Sequence, residues 1–170
     1  MTSKDKLSKM DGAAADLCVI ENEDGFSEND IEAPAGALFN ITDQKTLYSK
    51  NANDEREIAS ITKIMTALLA MKYADLSQEV TISYTPEGLE SSAVLCGFEQ
   101  GDKMMLSSLL SAALIYSGND AAIDIAIAVA GSQEAFVDMM NQESKELMTS
   151  HTHFANPTGL TQSKHYSSVY

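Results

Sequence analysis

The sequence has no tryptophan, only three prolines and two cysteines, and few basic residues for its length. Eleven Lys and Arg stand against 25 Asp and Glu among 170 residues, so the formal net charge is −14. Binding to phosphate groups needs clustered basic side chains, and none of the runs here supplies them. The charge balance therefore argues against nucleic acid as a partner, and against an anionic membrane surface for the same reason.

Long apolar runs are also missing. No stretch approaches the roughly 20 apolar residues that a transmembrane helix needs. The N-terminal sequence MTSKDKLSKMDGAAAD lacks the apolar core of a signal peptide. We therefore expect neither a signal peptide nor a membrane anchor in this chain.

Cysteine and histidine are too sparse to define a redox or metal motif. Cys18 and Cys96 are too far apart for a CxxC motif and too few for a disulfide framework, so we predict two unpaired thiols. His151 and His153 alternate, but no HExxH occurs, and alternation alone is weak evidence for zinc. We predict no metal site.

What the sequence does contain is enough apolar material for a packed core. Hydrophobic residues make up 44% of the chain, and a domain of this size buries roughly 70% of its unfolded surface. The first 32 residues differ because they are acidic and have little apolar content or periodicity. We predict a flexible leader over 1–32 and a folded domain over 33–170.

Hydrophobic periodicity and turn residues predict a mixed set of elements in that domain. Ser132 is the expected N-cap of the last helix, which follows a helix ended by Gly131. The predicted elements are, in chain order, a hairpin of 37–41 and 46–49, a helix over 60–74, a strand over 79–82, a loop with a short hairpin over 84–101, helices over 106–116 and 120–130, and a fourth helix reaching about residue 148.

The first chemical motif is Ser60-Ile61-Thr62-Lys63, at the start of the first predicted helix. Residues three apart in a helix lie on one face, so the hydroxyl of Ser60 and the amine of Lys63 would be neighbours. A serine hydroxyl needs an adjacent base to become a nucleophile, and a desolvated lysine can serve as one. The helix N-terminus would also stabilise an oxyanion formed there. An N-cap serine and a solvated lysine are the alternative.

The second motif is Ser117-Gly118-Asn119, at the break between two predicted helices. A turn at such a break can present both polar side chains to a cleft. By itself the motif could equally provide a helix cap. Its occurrence after Ser60 and Lys63, in this order, favours the functional interpretation.

These motifs resemble those of the serine-type D-alanyl-D-alanine carboxypeptidases, the low-molecular-mass penicillin-binding proteins. The resemblance covers about 35–170. The segments that carry it are Ala59-Ser60-Ile61-Thr62-Lys63-Ile64-Met65-Thr66-Ala67-Leu68, Gly101-Asp102, Leu109-Leu110, Ser117-Gly118-Asn119-Asp120-Ala121-Ala122, Thr152-His153-Phe154-Ala155-Asn156-Pro157-Thr158-Gly159-Leu160 and His165-Tyr166-Ser167-Ser168.

The resemblance implies a role for each residue of the two motifs. Ser60 would attack the penultimate D-Ala carbonyl of a peptidoglycan stem peptide and form an acyl-enzyme, with Lys63 as general base. Ser117 would relay a proton to the leaving amine, and Asn119 would bind the substrate backbone. β-Lactams would acylate Ser60, no cofactor or metal would be needed, and the location would be extracytoplasmic, in the cell envelope.

The resemblance also implies an α+β fold of three αβα layers, of which this chain would hold the N-terminal hairpin and the helical part. The family's third element, Lys-Thr/Ser-Gly, is absent, and the nearest sequence is Lys45-Thr46-Leu47. We therefore expect a C-terminally truncated domain, with later strands missing and apolar surface exposed around 121–130. A non-catalytic fragment or pseudoenzyme is the alternative to an active carboxypeptidase. A class A β-lactamase is disfavoured by Ser-Gly-Asn in place of Ser-Asp-Asn and by the lack of a Glu-x-x-Leu-Asn segment.

Overall fold

The computed structural model describes residues 31–43, 45–84 and 88–170. They belong to two compact units, one formed by the described part of Met1–Arg56 together with Ser167–Tyr170, the other by Glu57–Tyr166. All but the last two residues of the predicted leader lie outside the described residues, as does Cys18. The leader over 1–32 and the domain over 33–170 therefore remain predictions.

The first unit contains the predicted hairpin. Strand β1 (Gly36–Asn40) pairs antiparallel with β2 (Lys45–Lys50), and the register shifts between Leu38 and Phe39. The side chain of Asn40 accepts hydrogen bonds from the backbone N–H groups of Thr42 and Asp43 in the turn. This local bonding is the reason why asparagine favours such a position.

The second unit is mainly helical, and its helices agree with the predicted ones to within a few residues. They are α1 (Thr62–Tyr73), α2 (Leu106–Ile115), α3 (Asn119–Ala130) and α4 (Gln133–Glu146). Gly131 ends α3 with a φ of 84°, a conformation that glycine adopts without strain. Ser132 caps α4, as predicted, because its Oγ accepts the N–H of Ala135 at 3.1 Å.

A short antiparallel ladder replaces the hairpin predicted within 84–101. Strand β3 (Glu79–Thr81) pairs with β4 (Lys103–Met105), and the described residues between them form no strand. The prediction of a strand at 79–82 is thus confirmed, whereas its partner was missed. Three residues of β4 are too few to show a period of two in the sequence.

The prediction of exposed apolar surface around 121–130 is wrong. Helix α3 lies between α1, α2 and α4, so most of its apolar side chains are buried. The buried ones are Ala121, Ala122, Ile123, Ile125 and Ala126. Burial on several sides explains why this helix is rich in alanine and isoleucine, since small side chains allow close packing.

Exposed apolar residues occur instead along one side of α1 and the turn before it. We call Ile61, Ile64, Leu68 and Met71 the α1 stripe, because their spacing of three and four residues places them on one face. Ile64 and Met71 are 65% and 66% exposed, whereas Leu69 on the opposite face is fully buried. The apolar residues of the helix predicted over 60–74 are therefore divided between the core and the surface.

Within the described residues, no helix is both long enough and apolar enough to cross a membrane.

Candidate active site

Ser60 lies in a single turn of 3-10 helix, Ala59–Ile61, which leads directly into α1. The preceding residue, Ala59, has a φ of 45°, which is unfavourable for a residue with a side chain. Gly159 packs against this turn so closely that a Cβ on Gly159 would collide with the carbonyl group of Ala59. The strained turn and its close neighbour hold Ser60 at the surface, where it is exposed.

Lys63 lies one helical turn further on and is only 2% exposed. Its Nζ donates to Ser60 Oγ at 3.1 Å, to Asn119 Oδ1 at 2.9 Å and to the carbonyl oxygen of Thr158 at 2.8 Å. All three acceptors are uncharged groups. Burial therefore lowers the pKa of Lys63 from 10.5 to about 8, with Cys96 acting weakly in the opposite direction.

The number of acceptors determines what the amine can do when it loses a proton. An ammonium group has three N–H donors, and the three acceptors match them. A neutral amine has two donors and one lone pair. The Oδ1 of Asn119 and the carbonyl oxygen of Thr158 can only accept hydrogen bonds. If they stay bonded to the two N–H groups of the neutral amine, its lone pair faces Ser60 Oγ.

Ser117 is the second hydroxyl at Ser60. It has a φ of 63°, at the break between α2 and α3, and its Oγ donates to Ser60 Oγ at 2.8 Å. Ser60 Oγ thus accepts hydrogen bonds from both Ser117 and Lys63. The three groups form a continuous hydrogen-bonded chain along which a proton can move.

Asn119 is buried at the start of α3 and uses both ends of its amide within the chain. Its Oδ1 accepts from Lys63, and its Nδ2 donates to the carbonyl oxygen of Val94 at 3.0 Å. These bonds fix the amide so that its oxygen faces the lysine. Orientation of Lys63 is therefore a role that the sequence did not indicate, and the substrate contact of Asn119 stays a prediction.

The loop that contains Val94 is held by Asp120, the next residue of α3. Its carboxylate accepts the backbone N–H groups of Cys96 and Gly97 at 2.9–3.0 Å. Cys96 is a free thiol, and burial together with the charge of Asp120 raises its pKa to about 11. Near pH 8 the thiol is therefore neutral and places little charge beside Lys63.

A second turn, after α4, supports the lysine from the other side. The side chain of Asn156 accepts hydrogen bonds from the backbone N–H groups of Thr158 and Gly159, at 3.1 and 2.7 Å. Thr66, in α1, donates its hydroxyl to the carbonyl oxygen of Pro157 at 2.7 Å. Sequence reasoning assigned no role to these residues, although Asn-Pro-Thr-Gly is a recognisable turn sequence.

The structure thus brings together all four of the residues predicted for the site, namely Ser60, Lys63, Ser117 and Asn119. Within the described ranges, no group of three or more His, Cys, Asp or Glu side chains is placed to hold a metal ion. The site is therefore built from hydroxyl, amine and amide groups.

Comparison with known proteins assigns the chain to a family. The D-alanyl-D-alanine carboxypeptidase family matches residues 22–170, and the chain belongs to it. The chain is 40% identical over 144 residues to the D-alanyl-D-alanine carboxypeptidase DacF of Bacillus subtilis, a match that covers 82% of this chain and 36% of that protein.

Solved structures of related proteins agree with this family assignment. The D-alanyl-D-alanine carboxypeptidase DacD of Francisella tularensis superposes with a TM-score of 0.74 at 30% identity, over 84% of this chain and 35% of that one. Penicillin binding protein 6B of Escherichia coli gives a TM-score of 0.73 at 27% identity, over 89% and 51%. The chain thus spans about a third to a half of the length of these relatives. The predicted α+β class and the resemblance to penicillin-binding proteins are confirmed, and the match favours carboxypeptidases over class A β-lactamases.

Proposed function

We propose that this chain carries the serine–lysine site of a D-Ala-D-Ala carboxypeptidase, which removes the terminal D-Ala of a peptidoglycan stem peptide through an acyl-enzyme on Ser60. One observation carries the proposal. The Nζ of Lys63 lies 3.1 Å from Ser60 Oγ, and Lys63 is buried among uncharged acceptors. A lysine in these surroundings can be neutral near physiological pH and act as a base.

Acylation begins when Ser60 Oγ attacks the carbonyl carbon of the penultimate D-Ala. The C–O bond forms as the hydroxyl proton passes to the lone pair of Lys63. The carbonyl oxygen takes up the negative charge near the start of α1, where the helix dipole is positive. The product of this step is a tetrahedral adduct on Ser60.

Collapse of the adduct breaks the bond between the carbonyl carbon and the amide nitrogen. The leaving nitrogen takes a proton from Ser117, and the proton that Lys63 took from Ser60 Oγ then restores the Ser117 hydroxyl. D-Ala departs as a free amino acid. Water, deprotonated by the same lysine, then attacks the ester and restores the Ser60 hydroxyl.

The chemistry of this site determines its partners. The substrate is a stem peptide ending in D-Ala-D-Ala, and β-lactams are covalent inhibitors because their strained amide presents an equivalent carbonyl. All steps use water and groups of this chain, so the proposal includes no metal and no organic cofactor. Its place of action is the cell envelope, outside the cytoplasm, where peptidoglycan is found.

Acylation by a fluorescent penicillin tests the proposal, with the labelled residue identified by mass spectrometry. We expect one adduct, on Ser60, which disappears in Ser60→Ala. Ser111→Ala is the matched control, because Ser111 is an exposed serine of α2 whose hydroxyl donates to the carbonyl oxygen of Ser107, one turn earlier in the same helix. That variant should label like the unchanged chain.

Two results would contradict the proposal. Labelling that survives Ser60→Ala would place the nucleophile elsewhere. An absence of labelling at saturating penicillin would favour the non-catalytic alternative, in line with the lack of Lys-Thr/Ser-Gly in the sequence. Release of D-Ala from a peptide ending in D-Ala-D-Ala would then distinguish full turnover from acylation alone.

A further inference from the structure

His165 is a buried histidine with two hydrogen bonds inside the protein. Its exposed fraction is 5%, and it lies ten residues after Ala155 in the segment that follows α4. The backbone N–H of Ala155 lies 3.0 Å from its Nδ1, and Thr62 Oγ1 lies 2.7 Å from its Nε2. Each ring nitrogen therefore has a different partner.

These partners fix the form of the imidazole ring. Because the N–H of Ala155 can only donate, Nδ1 of His165 must accept and carries no proton. The proton is then on Nε2, which donates to Thr62 Oγ1. Protonation of both nitrogens would place Nδ1–H against the N–H of Ala155, so this environment disfavours the charged ring.

The two partners belong to the two sides of the active site. Thr62 lies between Ser60 and Lys63, in the first turn of α1, and is 1% exposed. Ala155 directly precedes the turn in which the Asn156 side chain accepts the N–H of Thr158. The carbonyl oxygen of Thr158, in this turn, accepts a hydrogen bond from Lys63. The ring of His165 thus joins the helix start that bears the serine and the lysine to the turn that orients the lysine.

We propose that His165 is a positioning residue for the Ser60–Lys63 pair, and that it acts by holding the Thr158 carbonyl oxygen at Lys63 through its bonds to Thr62 and Ala155. The proposal rests on the proposed function, since it concerns the same site. His165 does not touch Ser60 or Lys63, so its effect is transmitted by the helix start and by the turn.

The charged and titratable groups around these residues agree with a neutral ring. Burial lowers the pKa of His165, the neighbouring His153 lowers it further, and Glu57 opposes both. At Lys63, the facing titratable group is Cys96, with Asp120 behind it. The ring should therefore stay neutral in the range where Lys63 changes its protonation, near pH 8.

Two substitutions test the two hydrogen bonds of the His165 ring separately. Asparagine in His165→Asn can still accept the N–H of Ala155 but is too short to reach Thr62. Glutamine in His165→Gln can still donate to Thr62 but has no acceptor at the Nδ1 position. His151→Gln is the matched control, because it makes the same change in the same segment, at a residue that is not part of the hydrogen bonds of Lys63 or His165.

The measurement is the rate of acylation by penicillin as a function of pH. If both bonds are needed, both His165 variants should react about tenfold more slowly or worse, because small displacements at a reacting pair have large effects. The pH midpoint should also rise from about 8 towards 10.5, since water that reaches a displaced Lys63 relieves the desolvation that lowers its pKa. His151→Gln should change neither quantity.

Other outcomes would overturn the proposal or separate it from the proposed function. A purely structural His165 would lower the melting temperature in both variants and leave the rate and the midpoint unchanged. If the unchanged chain is not acylated at all, the proposed function fails. The pKa of Lys63, followed by NMR with isotope-labelled lysine, still tests the positioning, and an unchanged value in both variants would refute it.

A further measurement needs no variant and so does not depend on whether the variants fold. Nitrogen NMR of the histidines in the unchanged chain should show a neutral His165 at pH 7, with its proton on Nε2. A proton on Nδ1, or a charged ring, would overturn the proposal.

Discussion

The carbonyl oxygen of Thr158 lies 2.8 Å from the Nζ of Lys63, although 95 residues separate the two in the chain. A carbonyl oxygen accepts a hydrogen bond but brings no formal charge, so it orients the amine without stabilising the ammonium form as a carboxylate would. Together with Asn119 it leaves Lys63 both fixed in direction and easy to deprotonate. The consequences can be measured.

The first prediction concerns pH. Because burial lowers the pKa of Lys63 to about 8, the base form increases as the pH rises through that value, and acylation of Ser60 should increase with it. Lys63→Met should lower the rate by about 10²–10⁴-fold, the usual contribution of a positioned base. Lys63→Arg should fail equally, since a guanidinium stays protonated. Rate measurements between pH 6 and pH 10 would contradict this if the rate were still rising steeply at pH 10, as a midpoint near 10.5 requires.

The second prediction concerns Gly159. A methyl group there would collide with the carbonyl group of Ala59, and its φ of 87° is unfavourable for any residue with a side chain. Gly159→Ala should therefore lower the free energy of unfolding by about 2–4 kcal/mol and displace the turn that bears Ser60. Chemical denaturation and penicillin labelling measure the two effects.

Gly131 offers the matched control for that substitution. Its φ of 84° is nearly the same, but nothing lies within 4 Å of the position that a Cβ would occupy. Gly131→Ala should cost only about 1 kcal/mol, the penalty of the left-handed conformation, and leave labelling unchanged. Equal costs for the two variants would show that the contact with Ala59 contributes nothing.

The third prediction concerns the contact between Gly118 and Cys96. A Cβ on Gly118 would collide with Cys96 Sγ, while the φ of Gly118, −61°, accommodates any residue. Gly118→Ala should cost about 1–3 kcal/mol by overpacking. Cys96→Ala removes the sulfur, so Gly118→Ala should cost less in that background. A double-mutant cycle with no coupling energy would contradict the prediction.

The fourth prediction concerns the α1 stripe. Contiguous exposed apolar side chains promote dye binding and self-association. Ile64→Ala and Met71→Ala should together reduce binding of a hydrophobic dye, yet change the free energy of unfolding by no more than about 0.5 kcal/mol each, because both residues are largely exposed.

Leu69→Ala is the contrasting variant for the stripe. Leu69 is fully buried in the same helix, so its truncation should cost about 2–5 kcal/mol and should not reduce dye binding. If Ile64→Ala were as destabilising as Leu69→Ala, the stripe would be part of the packed core and not a surface.

The helices and the four site residues could be predicted from the sequence because their signals are local. Ser60 and Lys63 are three residues apart, and Gly131 and Ser132 mark a helix end and the next helix start in adjacent positions. The resemblance to a family then linked the two motifs. Local periodicity could not show which side of α1 faces the core, since Ile64 and Leu69 are equally apolar.

The supporting residues of the site could not be predicted, because they act through backbone atoms or across long separations. Thr158 contributes its carbonyl oxygen, which any residue possesses. His165 reaches Thr62 over 103 residues, and a lone histidine gives no indication of its partner. Hydrogen bonds between such distant residues depend on how the helices pack, and hydrophobic patterns in the sequence do not determine this packing.

The groups around Lys63 lie far apart in the sequence, and this determines when the site becomes active during synthesis and folding. Ser60 and Lys63 are synthesised before Asn119, and Asn119 before Thr158, so the lysine gains its complete set of acceptors only after Thr158 has been added. Contacts over such distances form late, since long loops must close first. Until then Lys63 is hydrated and protonated, and Ser60 has no base. The Ser60 hydroxyl of the nascent chain is thus not activated, and its reactivity is itself a product of folding.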